Sequence, residues 1–196
     1  MICFIKIYLM IKDLHSLARI AVPLPEVLSH FFTLNLLKVF EELWFVPKFL
    51  SPTFKHKFSK PGAVGYFIYF DDDSTARYQL VTFLPDSSFS TKAYDFTATR
   101  FSGLESVECH FSFTDLGLGK TQIQFECRFK VRSRFWGLLF EILAHKAVKR
   151  HLDSFLTRTT KEYEQFWLLR YGDDLADTSE KSSLKGKLEK DECLQL

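Results

Sequence analysis

Gly117-Leu118-Gly119-Lys120-Thr121 ends like a phosphate-binding loop, in which backbone amides and a lysine cradle a nucleotide. The first glycine of such a loop would fall at Thr114, and Gln122 to Lys130 alternate as a strand. The mechanism needs a helix N-terminus at that point. A hairpin turn accounts for the glycines, and nucleotide binding is not expected. Asp71-Asp72-Asp73 offers hard oxygen ligands but lacks the spacing and closing glutamate of a dedicated calcium loop. Solvated turn carboxylates are the expected state. The histidines (His15, His30, His56, His110, His145 and His151) form no HExxH, and no GxSxG elbow occurs. Cys3, Cys109, Cys127 and Cys193 are scattered without a CxxC, so local spacing offers no zinc site. No cofactor and no metal are expected.

Two further sets of residues carry a weaker signal. Arg128, Lys130, Arg132 and Arg134, with Lys146, Lys149 and Arg150, make a basic region near the end of the chain. A solvated face explains it; the functional alternative is transient contact with an anionic surface such as a membrane. Nucleic acid is not an expected partner, because the alternation places the aromatic rings away from these charges. Tyr66, Tyr69, Tyr78 and Tyr94 fall in mid-strand positions. A buried tyrosine asks for a partner at its tip, where phenylalanine would pack without one. Polar-tipped rings suit a cavity with a few orienting groups, though ordinary core or surface tyrosines explain them equally.

The chain that positions these groups has 196 residues, a net charge of +2, and 46% hydrophobic and 26% charged residues. That balance is globular, and the length suits one domain. Phenylalanine is over-represented at 22 residues against 2 methionines, enough rigid aromatic surface for a large core or a cavity wall. No apolar run reaches the roughly 18–20 residues of a membrane span. MICFIKIYLMIK at the start resembles a weak signal peptide, but Lys6 interrupts it and no small-residue cleavage site follows. The expected location is the cytoplasm, with thiols reduced.

A strand is expected from about His15 to Val22, then a helix opened by Pro23-Leu24-Pro25-Glu26. A second helical or irregular stretch, Leu36 to Leu43, leads into Trp44-Phe45-Val46-Pro47. The period then changes to two: strands are expected at Thr53–Phe58, Gly65–Phe70, Arg77–Leu84, Phe89–Ala98, Leu104–Asp115 and Lys120–Arg132, joined by short turns. A hairpin centred on Leu118 opposes Cys109 to Cys127, Phe111 to Phe125 and Phe113 to Ile123 on an apolar face. On the wet face it opposes His110 to Glu126 and Glu108 to Arg128. A long helix follows from about Phe135 to Leu169, with Ala144, Val148, Leu152, Phe155, Thr159, Tyr163 and Phe166 on one stripe. The division expected is an N-terminal extension over 1–13, a domain over 14–170 and a disordered polar tail over 171–196.

This order, with Ile20-Ala21-Val22-Pro23-Leu24-Pro25-Glu26-Val27, Trp44-Phe45-Val46-Pro47 and the GKTQIQF strand, resembles the START-like (SRPBCC, Bet v 1-like) superfamily and its polyketide cyclase/dehydrase-type members. The resemblance spans about residues 14 to 168 and carries no catalytic signature. It implies an α+β helix-grip fold: a curved antiparallel sheet around a long C-terminal helix, two short helices after the first strand, and a cavity for lipids, sterols or polyketides. It also places Trp44 near the mouth of that cavity.

The expected function is therefore binding, with transport as one use, of a hydrophobic small molecule between sheet and helix. Phe67, Tyr69, Tyr78, Tyr94, Phe111, Phe113 and Phe125 are the expected wall, with Leu152 and Phe155 opposite and Trp44 at the mouth. Two alternatives stand: a cyclase or dehydratase using a cavity Tyr, Asp95 or a His for acid–base work, and a protein-interaction module without a ligand. Because nothing periodic in the tail can join a core, deleting residues 175–196 should leave the melting temperature unchanged. A thermal melt of the truncated chain checks this.

Overall fold

Short polar turns and long period-two runs dictate an antiparallel meander, and a computed structural model shows one. It describes residues 10–33, 61–62, 65–101, 103–132 and 145–192, with single positions at 40, 43, 46, 48, 50, 138 and 142; side chains are described as far as Tyr171, Met10 and Arg100 excepted. The elements are β1 (Met10–Ile20), α1 (Leu24–Thr33), β2 (Tyr66–Tyr69), β3 (Thr75–Leu84), β4 (Ser88–Tyr94), β5 (Leu104–Gly117), β6 (Lys120–Val131) and the long helix α2 (His145–Glu192). Among the described residues the strands form one sheet in the order β1-β6-β5-β4-β3-β2, every pairing antiparallel.

The β5–β6 register is the expected one, with Cys109 opposite Cys127, Phe111 opposite Phe125, Phe113 opposite Ile123, His110 opposite Glu126 and Glu108 opposite Arg128. Gly117, Leu118 and Gly119 take φ of 79°, 53° and 66°, the left-handed conformations a tight hairpin demands. Leu118 accepts that strain on a tip 96% exposed to solvent.

Three boundaries differ from expectation. β1 starts at Met10, ahead of the anticipated domain boundary at residue 14, because β6 continues to offer ladder partners as far as Val131. β4 ends at Tyr94 and not at Ala98: Asp95 turns to φ 55°, and the chain enters a 3-10 turn at Thr99–Phe101. The backbone of α2 remains helical to Glu192, beyond the expected end near Leu169. The expected Thr53–Phe58 strand and most of the second short helix lie outside the described residues.

α2 crosses the inner face of the sheet. Val148, Leu152, Phe155, Leu156, Thr159 and Thr160 are buried, as the apolar stripe requires. Phe166 is a correction: it is 52% exposed, and Trp167 takes the inward position at 9%, since a 3.6-residue period carries the stripe from Tyr163 to residue 167. Polar contacts fix the helix along β1. Ser16 donates from Oγ to the Asp153 carboxylate at 2.6 Å, and the Glu164 carboxylate accepts from the Ala21 amide at 3.0 Å. Burial pushes the Asp153 carboxyl up, but the Lys149 ammonium and the Ser16 hydroxyl more than offset that and hold it below its ordinary value. Tyr163 stacks on His30 at 3.8 Å and donates to the Glu26 carbonyl at 3.1 Å, tying α2 to α1.

Leu152, 1% exposed, packs in the main core, whereas Leu169 is 88% exposed on the same helix. Leu152→Ala should cost about 2–5 kcal/mol in urea unfolding and Leu169→Ala close to nothing, as for buried and exposed truncations generally.

Candidate functional site: an apolar cavity at the β2–β5 end of the sheet

Opposed residues on adjacent strands share a face, so the pairings arrange the inner face in rows. One row runs Ser16, Phe125, Phe111, Phe89, Phe83. The next runs Leu14, Cys127, Cys109, Thr91, Leu80, and a third runs Lys12, Phe129, Val107, Ala93, Tyr78, Tyr66. The first row is filled. Phe111 stacks on Phe125 at 4.3 Å and on Phe89 at 5.1 Å, and Phe31 from α1 closes on Phe111 at 5.8 Å.

The other two rows carry smaller side chains, and there the interior opens. A cavity of about 70 Å³ lies over Thr91, Ala93, Val107, Cys109, Phe129 and Tyr78. Phe70, Phe96 and Phe101 bound it from the β2 side, Val148 of α2 lies opposite, and Phe40, Leu43 and Val46 form the remaining wall. Its polar groups are few. The Tyr78 phenol is fully buried close to Thr91, and burial pushes its pKa well above the ordinary value. Tyr78 is therefore a neutral hydroxyl at any physiological pH. Tyr66 meets Tyr78 edge-on at 5.6 Å, and burial raises its pKa as well.

Of the expected wall residues, Tyr78 reaches the cavity. Phe111, Phe113, Phe125, Leu152 and Phe155 are buried in the main core and do not line this cavity. Phe67 and Tyr69 do not line it either. They are 51% and 58% exposed because β2 turns Ile68 and Phe70 inward, which sends the intervening residues out. Tyr94 lies on the outer face opposite Arg77 and donates from its hydroxyl to Gln79 Oε1 at 3.0 Å. Asp95, the carboxylate considered for acid–base work, is exposed and pairs with Arg77 at 3.5 Å. Trp44 lies outside the described residues.

Sequence reasoning passed over Thr91, Ala93, Val107, Cys109 and Phe129. Their signal was present as small inward residues on neighbouring strands, bracketed by aromatic rings. Among the described residues no group of three His, Cys, Asp or Glu could hold a metal, and no helix is long and apolar enough to cross a membrane.

No protein-family model and no curated protein matches the sequence. Solved structures do match the fold. A norcoclaurine synthase point mutant from Thalictrum flavum, in complex with a transition-state analogue, is 11% identical with a TM-score of 0.52; the match covers 81% of this chain and 99% of that one. Ara h 8.0201 is 11% identical at a TM-score of 0.45, over 76% of this chain and 99% of its own. A START superfamily protein from Mycobacterium smegmatis is 11% identical at 0.47, over 78% and 94%. The fold is the helix-grip fold, shared with the norcoclaurine synthase, and at 11% identity the likeness concerns the fold alone.

Gly65 fixes the approach of β2 to the cavity. A Cβ there would meet the Tyr78 carbonyl oxygen at 2.9 Å, a backbone atom that cannot turn aside. Gly65→Ala should therefore cost about 1–3 kcal/mol in urea unfolding, as overpacking does, by forcing β2 away from Tyr78.

Proposed function

We propose that the chain binds a small, largely apolar molecule in the cavity beneath Tyr78 and Thr91. The observation that supports this is an apolar void bounded by rings, with the Tyr78 and Thr91 hydroxyl-bearing side chains in its lining. An empty void is costly: at about 24 cal/mol per Å³, 70 Å³ amounts to about 1.7 kcal/mol of lost packing. An apolar guest restores the contacts that an empty void forfeits. Among the described lining residues there is no carboxylate or histidine, and Tyr78 is held protonated, so the site offers a donor and no base. That favours binding over acid–base catalysis.

At about 70 Å³ the cavity is well below the roughly 300 Å³ of an ordinary ligand pocket, so a guest must displace one wall. Three walls are sheet, helix and ring clusters. The fourth, Phe40, Leu43 and Val46, is joined internally by turn hydrogen bonds, Leu43 to Phe40 at 3.1 Å and Val46 to Leu43 at 2.8 Å. This is the wall that a guest is expected to displace, while Lys48 and Leu50 beyond it are bonded to Asp71 and Tyr69. The guest expected is an apolar body with one hydroxyl or carbonyl, whose polar atom meets Tyr78.

Displacement of a solvatochromic naphthalene dye by a panel of fatty acids, sterols and aromatic polyketides tests this. Saturable binding is expected, abolished in Ala93→Leu, which fills the cavity without lowering the melting temperature. Tyr78→Phe should weaken guests that bear a hydroxyl or carbonyl by roughly tenfold, about the worth of one hydrogen bond, and leave pure hydrocarbons unaffected. If nothing binds while Ala93→Leu raises the melting temperature, the cavity is a packing void and the reading fails.

A further inference from the structure

The second inner row places two thiols side by side. Cys109 and Cys127 are directly opposed on β5 and β6, with Sγ atoms 3.5 Å apart, both reduced, and 5% and 0% exposed. Residues so opposed have Cα atoms about 4.5–5.5 Å apart, inside the window that a disulfide spans without backbone movement. Cys109 also stands in the cavity wall, between Cys127 and Thr91 on the neighbouring strands.

We propose that this pair is a modification site: a cross-strand dithiol that a small, uncharged hydroperoxide, admitted through the apolar cavity, closes into a disulfide. The cavity selects the oxidant. Its apolar lining penalises charged reagents, and about 70 Å³ admits a molecule of hydrogen peroxide's size with no wall displaced. The chemistry balances in two steps. The Cys109 sulfur takes the terminal oxygen of the hydroperoxide; the O–O bond breaks, the thiol proton passes to the departing oxygen, and water or an alcohol leaves. The Cys127 sulfur then displaces hydroxide from the resulting sulfenic acid; the S–O bond breaks, the second thiol proton joins the departing oxygen, and water leaves. The dithiol loses two electrons, and the hydroperoxide gains them. Burial pushes the Cys127 thiol up, so it persists as a thiol and the reaction is slow in the absence of excess oxidant. A metal site is the weaker explanation, because no third ligand stands beside the two sulfurs among the described residues.

Closure draws the Cys109 sulfur towards Cys127, away from the cavity and the Tyr78 hydroxyl. The redox state of the pair thus reshapes the site proposed above. This last consequence rests on the binding reading; the dithiol chemistry does not.

The experiment uses the full chain with Cys3→Ser and Cys193→Ser, treated with hydrogen peroxide under native conditions. Intact mass and peptide mapping should show the loss of two hydrogens and a Cys109–Cys127 link. Neither should form in Cys109→Ala or Cys127→Ala, and the rate should not rise in sub-denaturing urea. Ala93→Leu should slow closure by roughly tenfold, as filling a close-packed cavity requires. Closure that appears only as urea unfolds the chain, a rate unchanged in Ala93→Leu, or an intact mass that never falls would overturn the proposal. The panel of apolar compounds plays no part here, so a failure of the binding reading leaves this result readable by itself.

Discussion

The hairpin at Gly117-Leu118-Gly119 sets the phase of the sheet. Three successive left-handed residues allow one register between β5 and β6, and a slip by one would turn every inward ring to solvent. β1 and β4 pair against the outer sides of these two strands, so their phase follows. The apolar row of Phe89, Phe111 and Phe125 then has one surface on which α1 and α2 can close. Burying Phe31, Leu152 and Leu156 there holds the layers together.

Apolar burial alone does not say where along the sheet α2 comes to rest, since a stripe of methyl and ring surface slides at little cost. Polar contacts at two points along the helix supply the position. Ser16 and Ala21 sit at mid-strand and just past the end of β1, and Asp153 and Glu164 reach them from points three helical turns apart. Two hydrogen bonds at that separation fix both translation and rotation. A part-buried carboxylate misaligned with its donor would lose its compensation for desolvation, which penalises every other placement.

What was legible in the sequence follows from this division. The consecutive pairing of β2 to β6, the β5–β6 register and the neighbouring cysteines were readable because period-two patterning and short turns are local signals, whereas the long-range pairing of β1 with β6 was not. The helix stripe was readable as far as Tyr163, after which Phe166 and Trp167 compete and the sum of the 3.6-residue period decides. Phe67 and Tyr69 face outward, which the sequence did not show, because a strand as short as β2 alternates equally well in either phase. Which phase is inward depends on Arg77 and Ala76 of the partner strand. That Phe111, Phe113 and Phe125 lie in the core and not along the cavity was not legible, because periodicity reports direction and not volume.

Volume is the property that separates core from cavity on this inner face. Along the aromatic row three successive strands each supply a phenylalanine, and rings stacked 4.3–5.1 Å apart leave no gap. Along the adjoining rows the same strands supply Thr91, Ala93, Val107 and Cys109, while the surrounding chain keeps large rings at Phe70, Phe96, Phe101 and Phe129. Large rings hold the layers apart, and small residues between them cannot fill the space so created. The void is thus a consequence of side-chain size set by strand pairing, and its polar character comes from the same rows: a hydroxyl, a phenol and a thiol placed at adjacent inward positions. Replacing any one by a larger apolar residue would extend the aromatic core into the space, so the open end persists because those positions are occupied by small or polar-tipped side chains.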